Sequence, residues 1–228
     1  MIMVYAFAAV IITAITLFAF YIFFLIRPKR KKLIRDSLLT SYAHRGLHGN
    51  GIPENSISAF EKAIENGFGI ELDVQLSSDL EVFVFHDYSL ARMTGVDKML
   101  SDTDANELGS LLLYGTEEAI PTFKQVLKTV DGRVPLLIEL KGESLDSSLC
   151  EHVAKELNGY GGPFCIESFN PFLLRKMKQY LPDAVFGQLY TNVCRDKKKL
   201  NFLNTLLTLM AFNFVSRPDF IAYNKADR

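Results

Sequence analysis

Residues 55–87, "NSISAFEKAIENGFGIELDVQLSSDLEVFVFHD", change from a helical pattern to two strand patterns and so decide the fold class. Apolar residues at helical spacing occupy the first part: Ile57, Phe60, Ala63 and Ile64. Gly67 then provides a helix stop. "GIELDVQL" at 69–76 alternates apolar and acidic residues, and "EVFVFHD" at 81–87 is an aromatic and β-branched run. This order predicts an α/β fold.

The same alternation continues on both sides of this stretch. Further strand patterns lie at 41–46, 134–142, 163–170, 184–190 and 219–224. Helical patterns lie at 121–130, 146–158, 171–181 and around 198–214, and an irregular segment lies at 88–120. Strands that alternate with helices imply parallel βαβ units, and seven strand patterns predict a TIM (β/α)8-type barrel.

The first 26 residues carry no charged side chain and predict a transmembrane anchor, because a spanning helix needs about 20 apolar residues. A cleaved signal peptide would place basic residues before the apolar run and a small-residue cleavage site after it, and the sequence shows neither. Six basic residues instead lie between Arg27 and Arg35, and they predict that the following domain is cytoplasmic. The predicted organisation is a transmembrane anchor at 1–26, a basic juxtamembrane connector at 27–40 and a barrel domain at 41–228, with an inserted segment at about 88–120.

The net charge of −1 hides an asymmetry that argues against nucleic-acid binding. All 26 acidic residues follow residue 35, whereas six of the 25 basic residues lie within 27–35. A domain with an acidic excess lacks the basic surface that non-specific nucleic-acid binding needs. The three cysteines are widely spaced and show no metal-type pairing: Cys150, Cys165 and Cys194.

Polar residues cluster where the predicted strands end. Glu71 and Asp73 are two residues apart on one strand and therefore point to the same face, and Glu139 and Lys141 repeat this spacing on another strand. His44 and His86 each end a strand. In a β/α barrel, reactive residues gather at the carboxyl ends of the strands, so we expect these side chains to share one cavity.

Three carboxylates in one cavity predict a divalent cation, because burying them together without compensation costs many kcal/mol. Glu71, Asp73 and Glu139 offer the oxygen ligands that Mg²⁺ or Ca²⁺ prefers. Two histidines, one as base and one as acid, suit displacement at phosphorus. Arg45 and Lys141 would hold the phosphate oxygens.

These motifs resemble the glycerophosphodiester phosphodiesterase family. The resemblance begins with "AHRGLHGNGIPENSISAFEKAIENGFGIELDVQLSSDLEVFVFHD" at 43–87, which contains the family elements H-R-G, P-E-N-S/T-x-x-A-F, G-x-x-x-E-x-D-V and V-x-H-D in order. It continues through "LARMTG", "IPTFKQVL" and "LLIELKG" to "IESFN", which ends at residue 170. The resemblance implies a TIM barrel with a small segment inserted after the third strand.

The resemblance also implies a role for each matching residue. His44 and His86 match the acid/base pair, while Glu71, Asp73 and Glu139 match the metal ligands. The remaining matches are Arg45 and Lys141 at phosphate-contacting positions, with Glu54 and Asn55 as support from the P-E-N loop. The implied reaction is metal-dependent hydrolysis of a glycerophosphodiester to sn-glycerol 3-phosphate and an alcohol. His48 matches no family role.

The sequence departs from the family at its end, which implies a barrel without its last helix and eighth strand. An incomplete barrel leaves open a catalytically inactive, membrane-bound binding protein as one alternative. The predicted anchor leaves open a lysophospholipase D that acts on membrane lipid. A TIM-barrel glycosidase is disfavoured, because paired histidines, Arg45 and Lys141 suit phosphate rather than a glycosidic bond.

Overall fold

Seven strands form one sheet in the computed structural model, which describes residues 2–28, 36–142, 148–191, 205 and 208–223. The parallel strands are β1 (Tyr42–Ala43), β2 (Gly69–Leu76), β4 (Leu136–Leu140), β5 (Phe164–Ser168), β6 (Val185–Tyr190) and β7 (Phe220–Tyr223). They are adjacent in that order, and the sheet curls into an open half-barrel with β1 and β7 at its edges. The predicted TIM-type barrel fold is therefore confirmed.

The remaining strand, β3 (Val82–Val84), differs from the prediction of parallel βαβ units. It pairs antiparallel with β2, with Val74 opposite Val84. Only residues 77–81 separate the two strands, and a parallel connection needs a dozen or more residues. Among the described residues the number of strands matches the prediction, but six of them, rather than seven, form the parallel part of the sheet.

The described α-helices are α1 (Ile2–Phe20), α2 (Ile57–Glu65), α3 (Ala91–Thr94), α4 (Ala105–Ser110), α5 (Phe123–Val130), α6 (Ser148–Leu157), α7 (Pro171–Tyr180) and α8 (Asn213–Ser216). Four of them, α2, α5, α6 and α7, cover the outer face of the sheet. The start of α2 is fixed by Ser56, whose hydroxyl accepts a hydrogen bond from the Ala59 amide at 3.1 Å. Pro171 and an Asn170 cap similarly begin α7 directly after β5.

Three groups of buried apolar residues hold these layers together. The largest lies between the sheet and helices α2, α5, α6 and α7. A second lies within the curl of the sheet and includes Leu38, Cys165 and Val185. The third lies in segment 88–120, where Leu90, Leu100 and other residues pack against the end of β3. That segment therefore has a small core of its own.

The amino-terminal helix differs from the others because its apolar side chains face outward. It comprises α1 and the π-helical turn Tyr21–Ile26. Among the described residues, Met3–Ile26 is the one stretch long and apolar enough to cross a membrane, with a mean hydropathy of 2.7. Most of the basic cluster of the predicted connector, Lys29 to Arg35, lies outside the described residues, as does most of the predicted helix around 198–214.

Candidate active site

A tight backbone turn at the end of β1 presents His44 and Arg45. Arg45 and Gly46 both adopt positive φ, at 56° and 79°. A Cβ atom at Gly46 would lie 2.8 Å from the Cβ of Ala59 on α2, so this position requires glycine. The turn aims the Arg45 amide at Glu71, to whose Oε2 it donates a hydrogen bond at 2.7 Å.

Three buried carboxylates meet at the carboxyl ends of β2 and β4. Glu71 and Asp73 project from β2, and Glu139 projects from β4 directly beside Asp73 in the strand register. One oxygen from each carboxylate lies within 4.8 Å of the other two. Such a buried, all-oxygen donor set fits a hard divalent cation such as Mg²⁺ or Ca²⁺.

Asp73 lies at the centre of this cluster and is almost completely buried. Asn55 donates a hydrogen bond to its Oδ2 at 2.8 Å, and the Lys141 ammonium lies 3.0 Å from its Oδ1. Burial alone would raise the pKa of Asp73, but Lys141 and Asn55 outweigh burial and lower it. Asp73 therefore carries a negative charge throughout the neutral pH range.

The pKa values of the other two carboxylates are shifted in the opposite direction, upward. Burial and the neighbouring charge of Asp73 raise the pKa of Glu71 well above its ordinary value. Burial also raises the pKa of Glu139 to about 7, although Lys141 lies 2.7 Å from its Oε1. Both groups therefore resist ionisation in the absence of a cation, and a divalent cation would stabilise their charged forms.

Arg45 links this cluster to the P-E-N loop. Its Nη1 donates a hydrogen bond to Glu54 at 2.9 Å, and its Nε lies 3.7 Å from Oδ2 of Asp73. The backbone N–H of Asn55 in turn donates a hydrogen bond to the Arg45 carbonyl at 2.9 Å. Both loops therefore hold one another in place around Asp73.

His86 follows β3 at the same mouth and is oriented by Asp87. Its Nδ1 lies 2.6 Å from Asp87 Oδ1. Arg92, in segment 88–120, hydrogen-bonds to the other oxygen of Asp87 and donates to Glu54 at 2.6 Å. Partial burial acts to raise the pKa of Asp87, but the hydrogen bonds from Arg92 and His86 prevail and lower it to about 2. An ionised Asp87 fixes Nδ1 and leaves Nε2 of His86 for a substrate.

His44 is exposed at the same mouth. Burial of part of the ring, followed by the positive charge of Arg45, lowers the pKa of His44. It also interacts electrostatically with Asp73 and His86. His44 is therefore neutral at physiological pH and can accept a proton.

The structure thus places all nine sequence-predicted site residues in one cluster at the carboxyl end of the sheet. They are His44, Arg45, Glu54, Asn55, Glu71, Asp73, His86, Glu139 and Lys141. Such a cluster can bind an anion and move protons beside it.

Three further residues belong to this cluster although the sequence assigned them no role in the site. Asp87 and Arg92 connect His86 to Glu54, as described above. Glu167 on β5 lies in register with Glu139 and is buried, with a relative exposure of 4%. Among the described residues, its Oε2 has no hydrogen-bond partner. Glu139 on the adjacent strand β4 was a signal that an acidic residue at the matching position of β5 could share the cavity.

Comparisons with known proteins agree with this geometry. The model of the glycerophosphoryl diester phosphodiesterase family matches residues 44–220. A glycerophosphodiester phosphodiesterase from Caldanaerobacter subterraneus subsp. tengcongensis is 36% identical over 159 residues, which are 65% of each chain. This chain therefore spans just under two thirds of that relative's length. A lysophospholipase D from Rattus norvegicus is 33% identical over 112 residues, 43% of this chain and 35% of that protein.

A solved structure extends the similarity to the fold. A phosphodiesterase from Oleispira antarctica, determined with the product sn-glycerol 3-phosphate, superposes with a TM-score of 0.63 at 27% sequence identity. The superposition covers 75% of this chain and 71% of that chain. The matched segment contains every residue of the cluster from His44 to Glu167. The chain therefore belongs to the glycerophosphoryl diester phosphodiesterase family.

Proposed function

We propose that this protein is a membrane-anchored, metal-dependent phosphodiesterase that hydrolyses glycerophosphodiesters to sn-glycerol 3-phosphate and an alcohol. The observation that carries the proposal is the meeting of a buried acidic triad with two cations and two histidines at one mouth. The similar enzyme from Caldanaerobacter and the product-bound phosphodiesterase from Oleispira support the substrate class.

The two histidines move the protons in this proposal. A water molecule or a substrate hydroxyl attacks phosphorus, and the neutral His44 ring takes the proton of the attacking oxygen. As the bond between phosphorus and the leaving oxygen breaks, His86 returns a proton to that oxygen. Asp87 holds His86 in the orientation that this step needs.

Arg45 and Lys141 are the candidate phosphate contacts. Each already lies against a carboxylate of the cluster, so each is held in place before substrate arrives. Glu71, Asp73 and Glu139 would hold one divalent cation, Mg²⁺ or Ca²⁺. From the P-E-N loop, Asn55 supports Asp73 and Glu54 supports Arg45. When bound there, such a cation stabilises negative charge on the phosphoryl oxygens.

The amino-terminal helix is the proposed anchor. Its outward-facing side chains are strongly exposed, for example Phe7 at 69% and Ile12 at 63%. A contiguous apolar surface of this length is unfavourable in water and favourable in a bilayer. We place the catalytic domain on the cytoplasmic side because the basic residues follow the helix.

A second candidate function is a lysophospholipase D activity. The anchor would keep the site near lipid, and the chain is similar to a lysophospholipase D from Rattus norvegicus. The chemistry is the same phosphodiester hydrolysis, but the substrate retains one acyl chain. A catalytically inactive binding protein is disfavoured because no candidate residue of the site is missing.

Assays of the purified full chain on glycerophosphocholine and lysophosphatidylcholine test both functions. We expect release of choline from at least one substrate with Mg²⁺ or Ca²⁺, and loss of release with a chelator. We expect His44→Ala to abolish hydrolysis while the folded protein keeps its thermal transition. A folded wild-type protein that cleaves neither substrate with either metal would refute both candidate enzymes.

A further inference from the structure

The amino-terminal helix makes specific contacts with the barrel. The Tyr21 hydroxyl donates a hydrogen bond to the Leu209 carbonyl at 2.6 Å. Five residues later along the helix, the Ile26 carbonyl accepts a hydrogen bond from Asn213 Nδ2 at 3.2 Å. The end of the helix therefore contacts residues 209–213, which precede β7.

These contacts place the end of the helix at the carboxyl end of the sheet. Asn213 directly follows Phe212, whose ring packs on Phe172 in the first turn of α7, and α7 begins where β5 ends. The side chains of α1 are exposed, so this helix extends away from the domain. The carboxyl end of the sheet also holds the candidate active site.

Apolar side chains are exposed at the same end of the sheet. Phe169 directly follows β5 and is 49% exposed, and Phe172 in the first turn of α7 is 43% exposed. The ring of Phe172 packs on Phe212 at a centroid distance of 6.5 Å, next to the segment that holds the helix. Leu209, whose carbonyl binds Tyr21, is itself 46% exposed. We call Phe169, Phe172 and Leu209 the apolar rim.

We propose that the apolar rim lies in the interfacial layer of the bilayer that α1 spans, so that the candidate site opens toward the lipid surface. The proposal rests on the proposed phosphodiesterase function, and the orientation that it assigns favours the second candidate substrate, a lysophospholipid. The rim is continuous with the apolar helix through Leu209 and Tyr21. Phe and Leu are also side chains that interfacial protein segments bury at the boundary between headgroups and acyl chains.

This orientation gives a physical reason for lysophospholipid as substrate. The glycerophosphodiester part of a lysophospholipid lies in the headgroup layer, at the depth where the mouth with His44 and Arg45 would lie. Its acyl chain can stay in the hydrocarbon while the phosphate enters the site. The lipid therefore does not pay the cost of moving an acyl chain into water, about 0.8 kcal/mol for each CH₂ group.

Fluorescence of single tryptophans tests the orientation without reference to activity. The chain contains no tryptophan, so each introduced tryptophan reports on one position. We would place Phe169→Trp and Phe172→Trp in the full chain, reconstituted in phosphatidylcholine vesicles that carry brominated acyl chains. The matched control is Phe68→Trp, because Phe68 is 36% exposed and directly precedes β2 at the amino end of the sheet. We expect strong quenching and a blue-shifted emission at 169 and 172, and neither at 68.

The outcomes separate this inference from the proposed function. Equal quenching at positions 68, 169 and 172 would overturn the orientation, whatever the activity. Absence of quenching at 169 and 172 would overturn it as well, and this is the result expected if the rim instead binds a protein partner. We further expect Phe169→Ser with Phe172→Ser to lower hydrolysis of vesicle-bound lysophosphatidylcholine at least fivefold relative to water-soluble glycerophosphocholine. An equal loss on both substrates would refute the role of the rim in lipid access, while inactivity of wild-type protein on both would refute the enzyme function itself.

Discussion

Glu139 and Glu167 lie side by side in register on the parallel strands β4 and β5, so that two buried carboxylates share the inner face of the sheet. Burial raises the pKa of Glu139 to about 7 and the pKa of Glu167 to about 8, and mutual repulsion adds to the second shift. With Glu71 and Asp73 they make four carboxylates on the inner face of the sheet, and two cations, Arg45 and Lys141, lie beside them. When all four carboxylates are ionised, they outnumber these two cations. A divalent cation would balance this difference in charge.

Cation binding should therefore stabilise the folded protein. At a free Mg²⁺ or Ca²⁺ concentration about 100 times the Kd, linkage predicts about 2.7 kcal/mol, or roughly 5–10 °C in Tm for a chain of this size. Differential scanning calorimetry of the full chain in detergent measures this shift. Glu71→Gln and Asp73→Asn should remove it, whereas His48→Ala should keep it, because among the described residues no contact joins His48 to Glu71, Asp73 or Glu139. An identical shift in all variants would show that the cation binds elsewhere.

Glu167 should make the stability of the cation-free protein depend on pH. Its pKa is about 8 in the folded protein but near 4.5 when unfolded, so the folded state keeps the proton more tightly. Its contribution to stability is then full below about pH 4.5 and is lost as pH rises toward 8. Glu167→Gln should raise the Tm at pH 8.5 in the presence of a chelator and change it little at pH 4.5. A Tm difference that is the same at both pH values would contradict an elevated pKa.

Asp87 should act on the rate through His86. Asp87→Asn removes the charge that pairs with His86 Nδ1 and with Arg92, and we expect kcat to fall on the order of 10²-fold. The carboxylates of the acidic triad are untouched, so the Tm shift on cation binding should persist. Steady-state kinetics with glycerophosphocholine measures the change in kcat, and calorimetry on the same preparation measures the Tm shift on cation binding. A lost cation shift together with lost activity would indicate a general collapse of the site rather than a misoriented histidine.

Much of this site could be predicted because its residues follow local rules. Glu71 with Asp73, and Glu139 with Lys141, are each two residues apart on a strand, and that spacing alone assigns them to one face. The turn at Arg45 and Gly46 was predictable as part of a motif, although its positive φ values were not. The direction of β3 was predicted incorrectly, because an aromatic, β-branched run indicates a strand without indicating its partner. The five-residue connection at 77–81 carried the missing signal.

The remaining contacts could not be predicted because they join distant segments. Arg92 lies 38 residues from Glu54 in the sequence, within a stretch without helical or strand periodicity. Only the packing of the small core in segment 88–120 brings its guanidinium to the mouth. Glu167 escaped attention for a related reason, since one acidic residue on a strand has no partner within its own segment. The strand register supplies that partner, Glu139.

Arg92 should be a positioning residue that joins the two sides of the mouth. It bridges Asp87, which orients His86, and Glu54, which holds Arg45. Arg92→Gln should lower kcat between roughly 10- and 100-fold, because misplaced reacting groups are costly, while Arg92→Lys should retain part of the rate.

Stability should change little in Arg92→Gln, because the Arg92 side chain is 47% exposed and exposed ion pairs contribute only about 0–1 kcal/mol. Lys98→Gln is the matched control: Lys98 lies in the same inserted segment and forms a 2.5 Å ion pair with Glu107 at 51% exposure, but it has no link to either histidine. We would measure kcat and the thermal unfolding of Arg92→Gln, Arg92→Lys and Lys98→Gln. If Lys98→Gln slowed the reaction as much as Arg92→Gln, the effect would come from general loosening of the segment, whereas a rate loss confined to Arg92 would assign it to the bridge between Asp87 and Glu54.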